Sequence, residues 1–392
     1  MTQRPDKGLR QQTTLANWRQ APFNQWAFHN VRQIVPTASV YAPSNTWTLA
    51  REIQSFEHIG MTDRYGVERR LNGLFSYAHT DAFLIMQRGT IRTERYMHGM
   101  RPQDLHILMS VSKSVTAIVA GVLCGQGKLD LDAPLTKYIP ELAVSGYSGA
   151  TLQQLLDMRV GLDFTEDYYV TEGPMIQYRE ATGWNPRPGD ANAIGLHGFL
   201  LGLESNRAHG GSFQYTSPNS DLLGWILERV TGQSLAELTS ELLWRPMGAE
   251  FDACITVDGV GASRAAGGIN MSLRDLARLG QLMLESGMAN GQQVLPDWWV
   301  HDTTRGGDRQ AWATGNFAHL LPDGCYRNKW YQFGDELDSF CAIGIHGQFL
   351  YVAPARGIVI AHFASHPEPF NASVECTLLD AFQTLARTLH TT

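Results

Sequence analysis

Residues 110–123 read SVSKSVTAIVAGVL, where a Ser-x-x-Lys sequence, Ser110 to Lys113, opens an apolar run. Val115, Ile118, Val119, Val122 and Leu123 recur at helical spacing, so the helix they form is mostly core. Residues three apart share a helix face, which lets the Ser110 hydroxyl meet the Lys113 amine. A serine is a poor nucleophile until a base takes its proton. A lysine becomes that base when desolvation and nearby positive charge lower its pKa. The first helical turn supplies some of that positive field, whereas for helix stability alone a lysine is better placed at the other end. A Ser-x-x-Lys also arises by chance. The apolar setting, in which an unpaired lysine is costly, is what singles this one out.

Before this run, AFLIMQ (82–87) and TIRTERYM (90–97) face each other across Arg88-Gly89, which predicts a hairpin. From Leu15 to about Gly73 the chain reads as irregular, anchored by Trp18, Trp26, Phe28 and Trp47, with a short helix expected around Glu52 to Ile59. After the run, Thr151 with Gln154 forms a capping box ahead of LLDM, and Ser272 with Asp275 opens a helix that Gly287 ends. Asp221 to Thr231 is a further helix, with Leu222, Leu223, Ile226, Leu227 and Val230 on one face and Gly232 closing it. Strands return in QFLYVAP (348–354) and GIVIAHFA (357–364), joined by a Pro-Ala-Arg-Gly turn, and an amphipathic helix follows from about Cys376 to Leu389. This order predicts an α+β fold: an antiparallel sheet flanked by helices, completed by both ends of the chain, with a mainly helical region inserted. The expected division is a mobile polar tail over 1–14 and a single unit over 15–392. Within it, an α/β region takes about 15–107 and 270–392, and a helical region about 108–269.

The 392 residues carry 31 Lys+Arg against 38 Asp+Glu, a formal net charge of −7, which argues against a nucleic-acid binder. With 43 % hydrophobic and 18 % charged residues, the chain reads as folded, not disordered. Cys124, Cys254, Cys325, Cys341 and Cys376 are odd in number, scattered and never paired as C-x-x-C, so they read as reduced thiols and not as a disulfide frame or zinc site. The N-terminus, MTQRPDKGLRQQTT, has no apolar h-region, and the most apolar stretch, Ile107 to Leu123, has Lys113 inside it. A soluble, cytoplasmic protein without a membrane partner is expected. Only five residues are lysine, and Lys113 alone reads as lying in an apolar helix; the others fall in tails or connecting segments.

Three further candidates stand out. Tyr215, in FQYTSPNSD (213–221), is placed either to pass a proton between a lysine and a leaving group or simply to pack at a loop edge. His346, in IGIHGQ (343–348), sits among glycines that let backbone approach a substrate, though a lone histidine beside a strand is also an ordinary structural residue. Tyr168, beside Glu166 and Asp167, reads as a surface-loop residue. No metal motif or Gly-rich phosphate cradle occurs, so neither a metal nor a cofactor is expected.

In this order, Ser-x-x-Lys, a Tyr-x-Ser loop and a Gly-rich segment beside a late strand, the sequence resembles the serine β-lactamase and penicillin-recognising enzymes. GKLDLDAPLTKYIPEL (127–142) and TLQQLLDMRVGLDF (151–164) are similar to connecting segments of that family. More narrowly it resembles the 6-aminohexanoate-dimer hydrolases, the nylon-oligomer-degrading branch with carboxylesterase activity, through NQWAF, TDAFL, HILMSVSKS, EDYY, FQYTSPNSD, WILERVTG, ITVD, RDLARLG, LPDG and IGIHGQ. The resemblance runs from about Leu15 to the C-terminal helix. It implies a β-lactamase-like fold and a serine hydrolase that cleaves amide or ester bonds of small linear substrates through an acyl-enzyme. Ser110 would be the nucleophile, Lys113 its base and Tyr215 the third catalytic group. The backbone N–H groups of Ser110 and Ile345 would form the oxyanion hole, Tyr168 would close over substrate, and Ser217 and His346 would line the pocket. Class A enzymes carry S-D-N and K-T-G where this chain has Tyr-Thr-Ser at 215 and His-Gly-Gln at 346, which counts against β-lactam turnover. Where efficient nylon-dimer hydrolases carry an acidic residue and an asparagine, this chain has Arg179 and Ala266, so ester hydrolysis is expected to outrun amide hydrolysis. A β-lactamase or D-amino acid peptidase and a non-catalytic binding protein on the same scaffold are the alternatives; a homodimer is left open.

Overall fold

The computed structural model describes residues 6–187 and 194–389. Its main sheet has eight strands: β1 (Ala50–Arg51), β2 (Thr80–Gln87), β3 (Thr90–Tyr96), β4 (Cys325–Arg327), β5 (Trp330–Gln332), β6 (Phe340–Gly344), β7 (Gln348–Ala353) and β8 (Ile358–Ala364). They lie in the order β4-β5-β6-β7-β8-β2-β3-β1, so the late strands of the chain close against the early hairpin along β8 and β2. All neighbours are antiparallel except the short edge pair of β1 with β3.

Four helices matter for the site: α1 (Val111–Gly125), α2 (Pro218–Thr231), α3 (Leu273–Leu284) and α4 (Ala372–Thr388). In β2, Ala82, Leu84 and Met86 pack into the core that contains α1 and α3, while Phe83 and Ile85 pack into the core that contains α4. Both faces of the sheet are therefore covered, which is why AFLIMQ is apolar throughout and does not alternate. A Cβ at Gly280 of α3 would stand 2.3 Å from Val359 Cγ1, so this helix lies on β8 only because that position is bare. The α+β reading holds, with helices on both sides of a mixed sheet.

A second, four-stranded sheet, ordered Thr37–Val40, Ala253–Thr256, Ile269–Met271, His106–Ile107, brings the chain to the mouth of α1. Among the described residues no helix is long and apolar enough to cross a membrane.

Local signals read from sequence hold at Thr151, whose side chain and that of Gln154 make a reciprocal capping box, and at Ser272, which caps α3 through the Asp275 N–H. Gly232 ends α2 in a left-handed conformation. The helix expected around Glu52 to Ile59 does not form. There the Glu52 and Gln54 N–H groups donate to the Ile91 and Arg92 carbonyls, so the segment runs extended along the sheet edge. The last helix starts at Ala372, earlier than expected, because the Asn371 side chain accepts from the Ser373 and Val374 N–H groups. Within the stretch read as a polar tail, Asp6–Gln12 is helical and Leu9 packs on the cluster of Trp18, Trp26 and Phe28.

Candidate active site

Met109 has a φ of 46°, a left-handed conformation that costs a methionine energy and turns the chain sharply into α1. Ser110 follows at the N-cap of that helix. Opposite it, a Cβ at Gly344 would lie 2.6 Å from the Leu108 carbonyl oxygen and 3.0 Å from the Ser110 nitrogen, so the end of β6 approaches the Ser110 turn as closely as backbone can. No turn, loop or cap hydrogen bond among the described residues uses the N–H of Ser110 or of Ile345, the residue after Gly344.

Lys113 is 2 % exposed, and its Nζ donates to Ser110 Oγ and to the Ala266 carbonyl, both at 2.8 Å. Burial pulls this amine down to about 7; Glu166 and Asp221 pull the other way, and Arg264 adds to the lowering. The Tyr215 phenol lies close enough to the Ser110 and Ser217 side chains for both to act on its pKa. Its ring lies over Lys113, with Nζ 4.9 Å from the centroid. Burial, reinforced by Glu166, raises the phenol well above its ordinary pKa, so it stays protonated at neutral pH. Tyr215, far away in sequence, thus meets Ser110 and Lys113 in one cluster. In it the amine can take a proton from the serine and the phenol can pass one on.

Around this cluster lies a network that sequence reasoning missed. Glu166 accepts from the Tyr168 hydroxyl at 2.6 Å, and from the Ser217 N–H and hydroxyl at 2.5 and 2.6 Å. Asp221, at the start of α2, pairs with Arg264, accepts from the Tyr178 hydroxyl, and accepts from the Ala266 N–H at 2.8 Å. The pair thereby fixes the segment whose carbonyl holds Lys113. Sequence offered one signal for this role: Asp221 is a charged residue on a helix that is otherwise buried.

The cleft runs to both sides of Ser110. One lobe is lined by Arg19, Glu166, Met175, Arg179, Trp184 and Ser217 with Ala266; the other by Tyr215, Phe317, Leu320, Tyr331, Phe370 and Glu375. Ser110, Tyr168 and Ile345 line both. Tyr168, Ser217, Arg179 and Ala266 are therefore all at the cleft. His346 corrects the expectation that it lines the pocket. It is buried away from both lobes, its ring packs on Phe28 at 5.0 Å, and its Nδ1 bonds the His366 carbonyl at 2.7 Å. Burial holds its pKa down to about 3, so it is a neutral structural residue. Among the described residues no group of three or more His, Cys, Asp or Glu converges as a metal site would require.

The description of the Beta-lactamase family matches residues 76–383. The chain belongs to the beta-lactamase family. It is 38 % identical to a 6-aminohexanoate-dimer hydrolase of Paenarthrobacter ureafaciens over 91 % of this chain and 89 % of that one. It is 31 % identical to the esterase EstB of Burkholderia gladioli over 46 % of each chain. A solved Bacillus anthracis structure that provisionally carries the 6-aminohexanoate-dimer hydrolase name superposes with a TM-score of 0.88 at 27 % identity, covering 99 % of both chains. This beta-lactamase family member is a serine hydrolase by membership, and its relatives include both a dimer hydrolase and an esterase.

Proposed function

We propose that the chain cleaves amide or ester bonds of small linear substrates through an acyl-enzyme on Ser110, as a 6-aminohexanoate-dimer hydrolase-like enzyme with carboxylesterase activity. The observation that carries this reading is the 2.8 Å contact between Lys113 Nζ and Ser110 Oγ, with the amine lowered to about 7 by burial and Tyr215 lining the cleft beside both. The neutral Lys113 amine takes the Ser110 proton as Oγ bonds to the substrate carbonyl carbon. The oxyanion that forms is held by the N–H groups of Ser110 and Ile345. Tyr215 gives its proton to the departing nitrogen or oxygen as that bond breaks, and regains one from Lys113. Water then repeats the sequence on the ester, returning Ser110 and releasing the acid. No cofactor enters these steps.

By the resemblance, Arg179 stands at the position where efficient nylon-dimer hydrolases carry an acidic residue for the substrate's ammonium, and Ala266 where they carry an asparagine. A guanidinium in place of the acid repels that ammonium, so ester turnover exceeds turnover of the 6-aminohexanoate dimer. The same reading makes the protein a cytoplasmic enzyme without nucleic-acid or membrane partners; sedimentation decides whether it is a homodimer. Ser110→Ala abolishes hydrolysis of 4-nitrophenyl butyrate if the reading is right, and full activity in that variant would reject it. Labelling of Ser110 by a fluorophosphonate separates the enzyme from a binding protein on this fold. Rapid turnover of a penicillin would favour the β-lactamase alternative.

A further inference from the structure

The two lobes of the cleft differ in their ionisable groups: guanidinium groups in one, a buried carboxyl in the other. The first is walled by three guanidinium groups, Arg19, Arg179 and Arg264, and one carboxylate, Glu166. Asp221 neutralises Arg264, and Glu166 and Asp167 both act on Arg179, which leaves Arg19 without a carboxylate partner among the described residues. Arg19 registers this: burial pulls its pKa down to about 9, and repulsion from Arg179 and Arg264 adds to the lowering. The Nε atoms of Arg19 and Arg179 are both buried without a hydrogen-bond partner. Unpaired guanidinium N–H groups in a cleft wall suit a carboxylate, which accepts from them in pairs.

The second lobe is apolar, walled by Phe317, Leu320, Ile343 and Phe370, and Glu375 is its one charged residue. That side chain, from the first turn of α4, is 3 % exposed, and its Oε2 has no hydrogen-bond partner. Burial pushes its carboxyl up to about 8. An orphaned acid in apolar surroundings is destabilising, and no ion pair to a described residue offsets it. A bound cationic group would.

Tyr215 lines the second lobe and not the first. As the proton donor to the departing atom, it places the leaving group in the Glu375 lobe and the acyl chain in the arginine lobe. We propose that the preferred substrates carry a carboxylate at the far end of the acyl chain and an amino group at the far end of the leaving chain. They are half-amides or half-esters of a short dicarboxylic acid with a diamine or amino alcohol. This rests on the acyl-transfer reading above. Such a molecule is the polarity inverse of an ω-amino-acid dimer, whose ammonium is on the acyl chain and whose carboxylate is on the leaving chain.

The test uses the purified full chain and two ratios of kcat/KM. On the acyl side, the mono-4-nitrophenyl ester of adipate is compared with 4-nitrophenyl hexanoate and 4-nitrophenyl 6-trimethylammoniohexanoate. On the leaving side, the adipate monoester of 6-aminohexan-1-ol is compared with that of hexan-1-ol. The expected result is about a tenfold preference for the anionic over the neutral acyl chain, with the cationic one poorest, and about a tenfold preference for the amino-bearing leaving chain. Arg179→Gln should shrink the first ratio and Glu375→Gln the second, each variant being read by its own ratio so that a general loss of activity does not count. Hydrolysis of 4-nitrophenyl hexanoate without either ratio overturns this inference alone. Absence of any ester hydrolysis overturns it together with the serine hydrolase reading.

Discussion

Two lysines lie buried in the same core, Lys113 at 2 % exposure and Lys329 at 1 %. Burial lowers both, Lys113 to about 7 and Lys329 well below the ordinary ammonium range. Their neighbours differ. Lys113 faces the Ser110 hydroxyl, whereas Lys329, on the tight turn between β4 and β5, donates to the Leu155 carbonyl at 2.5 Å and touches Met158 Sδ at 3.4 Å. A neutral amine beside a hydroxyl has a proton to take; beside a carbonyl and a thioether it has none. Desolvation makes both lysines bases, and only the partner makes one of them useful.

The largest expected effect breaks the comparison if it is wrong. Ser110→Ala and Lys113→Met should each lower ester hydrolysis by at least about 10³-fold, since groups acting as a unit fail together. Lys329→Met should stay within about tenfold of the parent, because it loses a hydrogen bond to the Leu155 carbonyl and none to Ser110. A Lys329 variant that is folded by circular dichroism yet as inactive as Lys113→Met would show that the second amine is part of the proton path.

Tyr215→Phe is the next step down. General acid–base groups contribute about 10²–10⁴-fold, and the cost depends on how much the leaving group needs a proton. An amine or alkoxide needs it; nitrophenolate does not. The variant should therefore lose roughly ten times more activity on an amide or alkyl ester than on a nitrophenyl ester, and an equal loss on both would reject Tyr215 as the leaving-group acid.

A smaller effect follows from pH. The working form of Lys113 is the neutral amine, so kcat/KM for a neutral ester should rise as pH increases through about 7, falling about tenfold for each pH unit below it. Burial does most to set this value, and Glu166, Arg264 and Asp221 adjust it. Asp221→Asn removes one of the two carboxylates that favour the charged amine, so it should move the rising limb to lower pH. A limb that stays in place would mean that another group titrates.

What was legible in the chain was local. The 82–97 hairpin, the Thr151 and Ser272 caps and the 348–364 strand pair each rest on residues within one element, where spacing alone carries the information. Ser110 and Lys113 belong here too, being one helical turn apart. The network around them was not legible, because it is made by contacts across long stretches of sequence: Glu166 with Ser217, Asp221 with Arg264, and Glu375 with the walls of a lobe supplied by the loop at Phe317 and strands β5 and β6. Lys329 shows the same limit. It does sit in a connecting turn, as its surroundings in sequence suggest, but the turn is wedged against α1, where its carbonyl accepts from Ser114 Oγ at 2.7 Å. Sequence position distinguishes turn from helix, and it does not distinguish a buried turn from an exposed one.

The smallest effect tests the desolvation half of the lysine comparison without any substrate. A lysine whose pKa is lowered in the fold binds its proton in the unfolded chain but not in the folded one, over the range between the folded and ordinary values. Stability therefore rises with pH across that window, by at most about 1.4 kcal/mol per pH unit for one proton. For Lys113 the window opens near 7, and for Lys329 lower still. Lys329→Met nearly preserves volume and removes one of the two slopes, leaving the Leu155 carbonyl without its donor at a cost of about 1 kcal/mol. Urea midpoints measured from pH 6 to 9 should show the variant gaining on the parent as pH falls. Parallel curves would mean that Lys329 keeps its proton in the folded core. In that case burial alone does not neutralise an amine here, and the reactivity of Lys113 would have to come from Ser110 and its surrounding charges.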